Sequence, residues 1–390
     1  MATAARTSLL TPAFVALAAV DLLYFTAAGI MLAATPLFTR DVLGAGNAGV
    51  GVVVGAFGVT TLLTRPFAGR ATDRRGRRGL LVVGAGAMCV LTLAHLLVDS
   101  VPALVALRLL LGVAEALFIV AGFAALADLA PPGRSGEALS LNSLALYLGI
   151  ALGPGLGQIL IEAAGFAAAW VAAAALFGVS AVVILALVPE TLEEPEDATP
   201  SALVSRAALW PAFLLFAGVA ATGGFLGFGV LHAREVGLAA WGLAPLVFGA
   251  TVVTLRIAFA TLADRTEPMR LAAVALLLDA AGLVVMGAVA SPVGVLLGAL
   301  LLGIGSAFLT PAVFAAVFSR VAPAQRGSAA ATTSVLIDLG LSGGPLVVGL
   351  VAAGIGLGPA LVAIAALPLA VGGIALARQA GRKEAVRTAP

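Results

Sequence analysis

Gly69-Arg70-Ala71-Thr72-Asp73-Arg74-Arg75-Gly76-Arg77-Arg78 places five arginines and one aspartate within ten residues, and long apolar runs border it at 46–65 and 79–98. The rest of the chain repeats this alternation. Of its 390 residues, 62% are hydrophobic and only 10% are charged, whereas a soluble domain carries about 25% charged residues. Water cannot accept that much apolar surface, and lipid can. A membrane-crossing helix needs about 20 apolar residues. Twelve stretches qualify: 12–38, 46–65, 79–98, 102–128, 137–162, 166–188, 207–232, 242–262, 271–290, 293–318, 328–354 and 357–377. Breakers or charge separate them, as in Asp99-Ser100-Val101-Pro102, Ala130-Pro131-Pro132-Gly133-Arg134 and Ser291-Pro292. The first stretch follows Arg6 and is too long for a signal-peptide core, so it reads as a retained span.

Basic residues set the orientation of such a bundle. With an even number of spans and the N-terminus inside, sixteen Lys and Arg fall in cytoplasmic segments and two, Arg40 and Arg234, fall outside. Both termini are therefore expected in the cytoplasm. Twenty arginines against the single Lys383, with an excess of alanine, resemble bacterial high-GC coding and suggest a bacterial cytoplasmic membrane. The polar stretch from Pro189 to Arg206, rich in glutamate, reads as a solvated linker. The expected organisation is an N-terminal six-helix half at 1–188, a linker at 189–206, a C-terminal half at 207–378 and a tail at 379–390.

The halves are related at an offset of 191 residues. Arg65, Asp73 and Arg74 map onto Arg256, Asp264 and Arg265. Leu109-Leu110-Leu111-Gly112 maps onto Leu300-Leu301-Leu302-Gly303, and Gly149, Gly153 and Pro154 map onto Gly340, Gly344 and Pro345. Six spans separate the copies, so both point the same way. Parallel repeats of this kind place a pseudo-two-fold axis along the membrane normal, with substrate at the repeat interface.

On these residues the chain resembles the major facilitator superfamily over essentially its full length. The loop from Gly69 to Arg78 is similar to the family's signature, glycine, three residues, then Asp-Arg-x-Gly-Arg-Arg, with Ala71 where a bulkier residue is usual. Its second copy is degraded: Ala260 and Glu267 replace the two glycines, while Asp264 and Arg265 remain. The resemblance implies twelve transmembrane helices in two parallel-repeat halves, the major facilitator fold of an all-α membrane protein. It also gives the loop a gating role through Gly69, Asp73, Arg74, Gly76, Arg77 and Arg78. Asp73 would meet the positive N-terminal end of span eleven near Ser328, and Arg77 would pair with Asp128. A loop that serves topology alone is the alternative, but inside-positivity does not ask for an aspartate.

Span five carries Gly149, Gly153, Pro154 and Gly157, which resembles the motif of the antiporter branch, the exporters. Ser140 and Gln158 stand where that motif has glycines. Close packing of a bent helix explains the same residues without any direction of transport.

Ionisable residues inside spans are expensive and mark function by default. Asp21 lies in span one, with Tyr24 and Phe25 on its face at i+3 and i+4. Arg108 and Glu115 are seven residues apart in span four, so they share a face. With Asp338 of span eleven, these form the proton-coupling set. Asp21 has an alternative as the structural partner of an arginine, and Arg108 with Glu115 as a permanent ion pair. The substrate-cavity set is Tyr24, Phe25, Asn142, Tyr147, Thr222, Ser306 and Thr310, too few polar groups for a strongly hydrophilic sugar. Asp279 of span nine reads as a helix-interface residue, because the family places that span at the periphery.

No Walker loop, nucleophile triad or metal-ligand cluster is present in the sequence, and the lone Cys89 sits in an apolar run. The expected protein is not an enzyme and needs no cofactor, metal or nucleic acid. Its partners are protons, a small-molecule substrate and the bilayer, with a monomer as the expected state. The reading is proton-coupled export of a small apolar or amphipathic compound by alternating access. An importer or uniporter of a metabolite, and a non-transporting receptor on the same fold, remain open at this point.

Overall fold

The computed structural model describes residues 9–131, 134–192, 205–259, 266–322 and 325–388. Among them the regular secondary structure is entirely helical. The first helices are α1 (Pro12–Asp41), α2 (Asn47–Arg75), α3 (Arg77–Leu93, extended by a 3₁₀ turn Ala94–Leu97) and α4 (Val101–Leu129). The run Ser135–Leu187 is helical throughout except at Gly165, whose φ of 77° folds it back. The arms before and after Gly165 are α5 and α6. There follow α7 (Arg206–Glu235), α8 (Leu243–Ala258), α9 (Pro268–Ala288), α10 (Pro292–Phe318), α11 (Arg326–Ile355), α12 (Leu357–Ile364) and α13 (Ala366–Thr388).

Each of the twelve expected spans has a helical counterpart. Ten described helical stretches are long and apolar enough to cross a membrane, one of them being the doubled run broken at Gly165, and Leu243–Ala258 is a shorter apolar helix. The expected spans five (137–162) and six (166–188) meet at Gly165, a single positive-φ glycine that breaks the helix between them. The last helix continues to Thr388, so the expected tail from 379 is helical through that residue. Its Ala, Arg, Gln, Lys and Glu are good helix formers. Most of the linker (193–204) lies outside the described residues, as do Asp264 and Arg265.

The chain forms two compact units, and the division does not follow the sequence halves alone. One unit comprises residues 1–34 and 60–198, the other 35–59 and 199–390. The second unit therefore includes the C-terminal end of α1 and the first half of α2.

Lipid gives helices no hydrophobic reason to associate, so packing of small residues and interhelical hydrogen bonds must do it. In the first unit α5 crosses α1 where Gly153 faces Gly29. A Cβ on Gly153 would lie 2.5 Å from the Gly29 Cα, and one on Gly149 would lie 2.7 Å from the Phe25 backbone. Thr60 and Thr61 of α2 donate to the Leu109 and Gly112 carbonyls of α4 at 2.7 and 3.1 Å. The second unit repeats the crossing with α11 on α7. A Cβ on Gly340 would lie 2.9 Å from the Phe216 carbonyl, and one on Gly344 would collide with the Ala220 carbonyl. The 191-residue repeat is thus a repeat of contacts as well as of letters.

Candidate functional site

The first unit buries a polar cluster between α1, α4 and α5. Asp21, Tyr24 and Phe25 lie along α1, and the side chains of the first two reach different helices. The Asp21 carboxylate accepts from the amide nitrogen of Asn142 on α5. The Tyr24 hydroxyl donates to Oε2 of Glu115 on α4. The Tyr24 ring is stacked on Phe118 with centroids 3.7 Å apart and meets Phe177 edge-on at 4.8 Å. Tyr24 has no solvent exposure, Asp21 is 4% exposed and Arg108 is 9% exposed, so aromatic packing fixes the phenol that bridges to Glu115.

Electrostatics ties the cluster together. Arg108 and Glu115 act on each other along α4, and the charges of Asp21 and Glu115 oppose each other. Glu115 thus stands between an arginine and a second carboxyl. With both ionised the trio is net negative, and one bound proton makes it neutral. Like carboxylates in one site resist double ionisation.

The remaining members of the sequence-derived sets lie elsewhere. Thr222 and Ser306 join α7 to α10 through a 3.1 Å hydrogen bond between their hydroxyls. Thr310 is half-buried one turn further along α10. Asp338 is buried on α11, where its backbone carbonyl accepts from Ser342 at 2.7 Å. These four belong to the second unit, whereas the half-buried Tyr147 of α5 belongs to the first.

The signature loop has a geometry of its own. Gly76 adopts φ 91°, which an L side chain rarely tolerates, and a Cβ there would collide with a Glu190 carboxylate oxygen. Glu190 accepts from the backbone N–H groups of Arg77 and Arg78 at 2.8 and 3.2 Å. It thereby satisfies orphan donors at the start of α3 and meets the positive end of the helix. Arg77 Nε also donates to Asp128 Oδ2 at 3.0 Å, and Thr191 donates to the same oxygen at 2.9 Å. The structure thus brings Arg77 and Asp128 together. Asp73, Arg74 and Gly69 stand on the last turns of α2, the first two exposed.

Sequence reasoning missed Glu190, which it placed in a solvated linker. Burial alone would raise its pKa, but four backbone N–H groups, from Arg77, Leu192, Thr191 and Arg78, hold it below the ordinary carboxylate value. A depressed native pKa means the cap stabilises fully above the unfolded-state pKa and is lost as pH falls through the native one. Glu190→Ala is therefore expected to lower thermal stability at neutral pH, by under about 1 kcal/mol at so exposed a site. The gap between variant and wild type should close in acid. Thermal melts at stepped pH check this.

Sequence reasoning also missed a reciprocal pair of ion pairs in the second unit. Arg40 meets Glu235 and Arg234 meets Asp41, each at 2.6 Å. Arg40-Asp41 ends α1 and Arg234-Glu235 ends α7, so each dipeptide offers a cation to the other's anion. The signal was present as two Arg-acid dipeptides at equivalent span ends, slipped by three residues from the 191 offset. Asn47 adds a 3.0 Å bond to the Ala352 carbonyl, and Gly51 approaches Gly349.

The comparisons agree with this architecture. A family model described as Major Facilitator Superfamily matches residues 17–345. An uncharacterised MFS-type transporter of Salmonella typhimurium is 30% identical over 334 residues, covering 83% of this chain and 84% of its own. One of Burkholderia mallei is 31% identical over 331 residues, covering 82% and 80%. Among solved structures, the human organic anion transporter MFSD10 superposes with a TM-score of 0.72 at 20% identity, over 93% of this chain and 99% of its own. A POT family transporter in complex with a thioalcohol-conjugated peptide superposes at 0.80 with 13% identity, over 94% and 96%. At those identities the structures speak for the fold alone. The family match takes in both copies of the repeat and the whole signature loop, and the chain belongs to the Major Facilitator Superfamily.

Proposed function

We propose that this protein is a proton-coupled exporter of a small apolar or amphipathic compound, working by alternating access in a bacterial cytoplasmic membrane. Membership of a transporter family supplies the coarser statement, a secondary transporter. The observation that carries the finer one is the cluster of Asp21, Tyr24, Asn142, Arg108 and Glu115. In this reading a proton arriving at either carboxyl cancels the net negative charge of the trio with Arg108 and loosens the carboxyls' hold on the arginine or on a bound substrate. Its release on the other side restores the charge. Asp338 is the coupling carboxylate assigned to the second unit. Phe25, Tyr147, Thr222, Ser306 and Thr310 are assigned to the cavity, and their scarcity of hydrogen-bonding groups favours cargo with little polar surface. Asp73, with Arg74, Gly69 and Asp264-Arg265, is assigned to the latch that closes the cytoplasmic side, and Arg77–Asp128 to its support.

The glycine run of α5 adds little to the case for export. The crossings of α5 on α1 and of α11 on α7 use the same small residues, so packing alone explains them. Direction therefore has its own test. Purified protein in proteoliposomes, screened against amphipathic dyes and small neutral and charged metabolites, should take up cargo when the vesicle interior is acid, as proton antiport requires. Uptake driven instead by an acid exterior would make the protein an importer. Flux that ignores the pH gradient would overturn proton coupling.

A further inference from the structure

Asp279 stands in the middle of α9 with no solvent exposure, and neither carboxylate oxygen has a hydrogen-bond partner among the described residues. Its surroundings are built around it. A Cβ on Gly305 of α10 would collide with Oδ1, and a Cβ on Gly218 of α7 would lie 2.9 Å from Oδ2. Two neighbouring helices have thus given up side chains where the carboxyl sits. Leu276 and Leu309 also reach the space beside Gly218, within an apolar cluster that includes Leu214 and Ala217.

Among the described side chains, the charged groups of the packed elements lie towards helix ends. Helix α10 (Pro292–Phe318) has no charged residue, nor has α12 (Leu357–Ile364). On α7 the ionisable residues lie at the ends: Arg206 at one, and His232, Arg234 and Glu235 at the other. His232 faces α9 at the Met286 carbonyl, 3.0 Å away, which is seven residues or about 10 Å along the axis from Asp279. Arg378 of α13 lies over the Trp210 ring at 4.2 Å. Glu267 and Arg270 of α9 itself are at its first turn.

The fold does not demand a carboxyl here. The repeat places Met88 of α3 at the equivalent position, buried like Asp279. One half packs a thioether where the other packs an acid.

We propose that Asp279 is a proton-binding site of the second unit, occupied and neutral while α7, α9 and α10 are packed as seen here. An ionised carboxylate in this crevice would be an uncompensated buried charge, a costly arrangement in protein or lipid. A metal cation would need several oxygen ligands, whereas glycine backbone and leucine methyl groups surround the carboxyl. A proton needs only one oxygen. It leaves when the α7–α9–α10 seam admits water, so proton occupancy and packing of this unit are a single equilibrium. This site is independent of the coupling role given to Asp21 and Glu115.

Infrared difference spectroscopy of the full-length protein in lipid nanodiscs tests it directly. Wild-type protein at neutral pH should show a carboxylic-acid C=O band that shifts on transfer to D₂O. Asp279→Met, which installs the residue of the sister half, should lose that band, and Asp279→Asn should lose it too. The Asp21→Asn, Glu115→Gln double variant should keep it even if its proton-driven transport is lost. Retention of the full band by Asp279→Met would overturn the proposal. Should both Asp279 variants misfold, carbon-13 aspartate labelling of double-variant protein that also carries Asp338→Asn replaces them: the band must shift with the label, and an unshifted or missing band overturns the site.

Discussion

Asp21→Asn combined with Glu115→Gln is expected to lower pH-gradient-driven flux about tenfold or more, the scale of an ordinary coupling free energy between two ligands. Both carboxyls leave while Arg108 stays, so the cluster can no longer alternate between a net negative and a neutral state. Both replacements are near-isosteric. The new amide at position 115 can still accept from the Tyr24 hydroxyl, and the one at position 21 remains within reach of Asn142, so the packing of Tyr24 on Phe118 should survive. Substrate exchange at equal pH on both sides needs no proton and should persist. That split separates coupling from binding and from folding. Wild-type gradient-driven flux in the double variant would end the assignment.

Gly153→Leu is expected to give the largest loss of stability among glycine-to-leucine substitutions on α5. A Cβ there would meet the Gly29 Cα and the Thr26 carbonyl, both at 2.5 Å. Both are backbone atoms, which cannot rotate away as a side chain can. The helices must separate, and overpacking of this kind typically costs about 1–3 kcal/mol, occasionally more. Gly155→Leu is the matched control, because nothing lies within 4 Å of its Cβ position. Thermal unfolding of both variants in the same detergent should show a clear drop for Gly153→Leu alone. Equal melting temperatures would mean that the α1–α5 crossing yields more easily than its backbone contacts imply.

The parts of this molecule that depend on local sequence were legible from it. Apolar length and charged separators are one-dimensional signals, so the helices followed from hydropathy. The contact of Arg77 with Asp128 followed from a motif whose spacing is itself structural. Pairings between distant helices were not legible. Asp21, Tyr24, Asn142 and Glu115 all stood out as polar residues in apolar spans, but nothing in their spacing said that Asp21 takes Asn142 while Tyr24 takes Glu115. Glu190 was invisible for a different reason. Acid-rich sequence reads as solvated, and its role appears only once Gly76 turns the chain back beneath it. Asp279 was visible but undervalued, because the two glycines that make room for it lie on α7 and α10, far away in sequence.

The grouping of residues 35–59 with the second unit bears on dividing the gene. A cut in the linker looks natural from the sequence, since it yields two six-span pieces. Yet the N-terminal piece would take with it the stretch bearing Arg40, Asp41, Asn47, Gly51 and Gly58, whose partners Glu235, Arg234, Ala352, Gly349 and Ser342 all lie on the other piece. Each fragment made alone would turn half of a small-residue seam towards the lipid and leave half of a charge clasp open at its helix end. Together they hold complementary halves of a built-in recognition surface, which equips a severed transporter to reassemble from its parts.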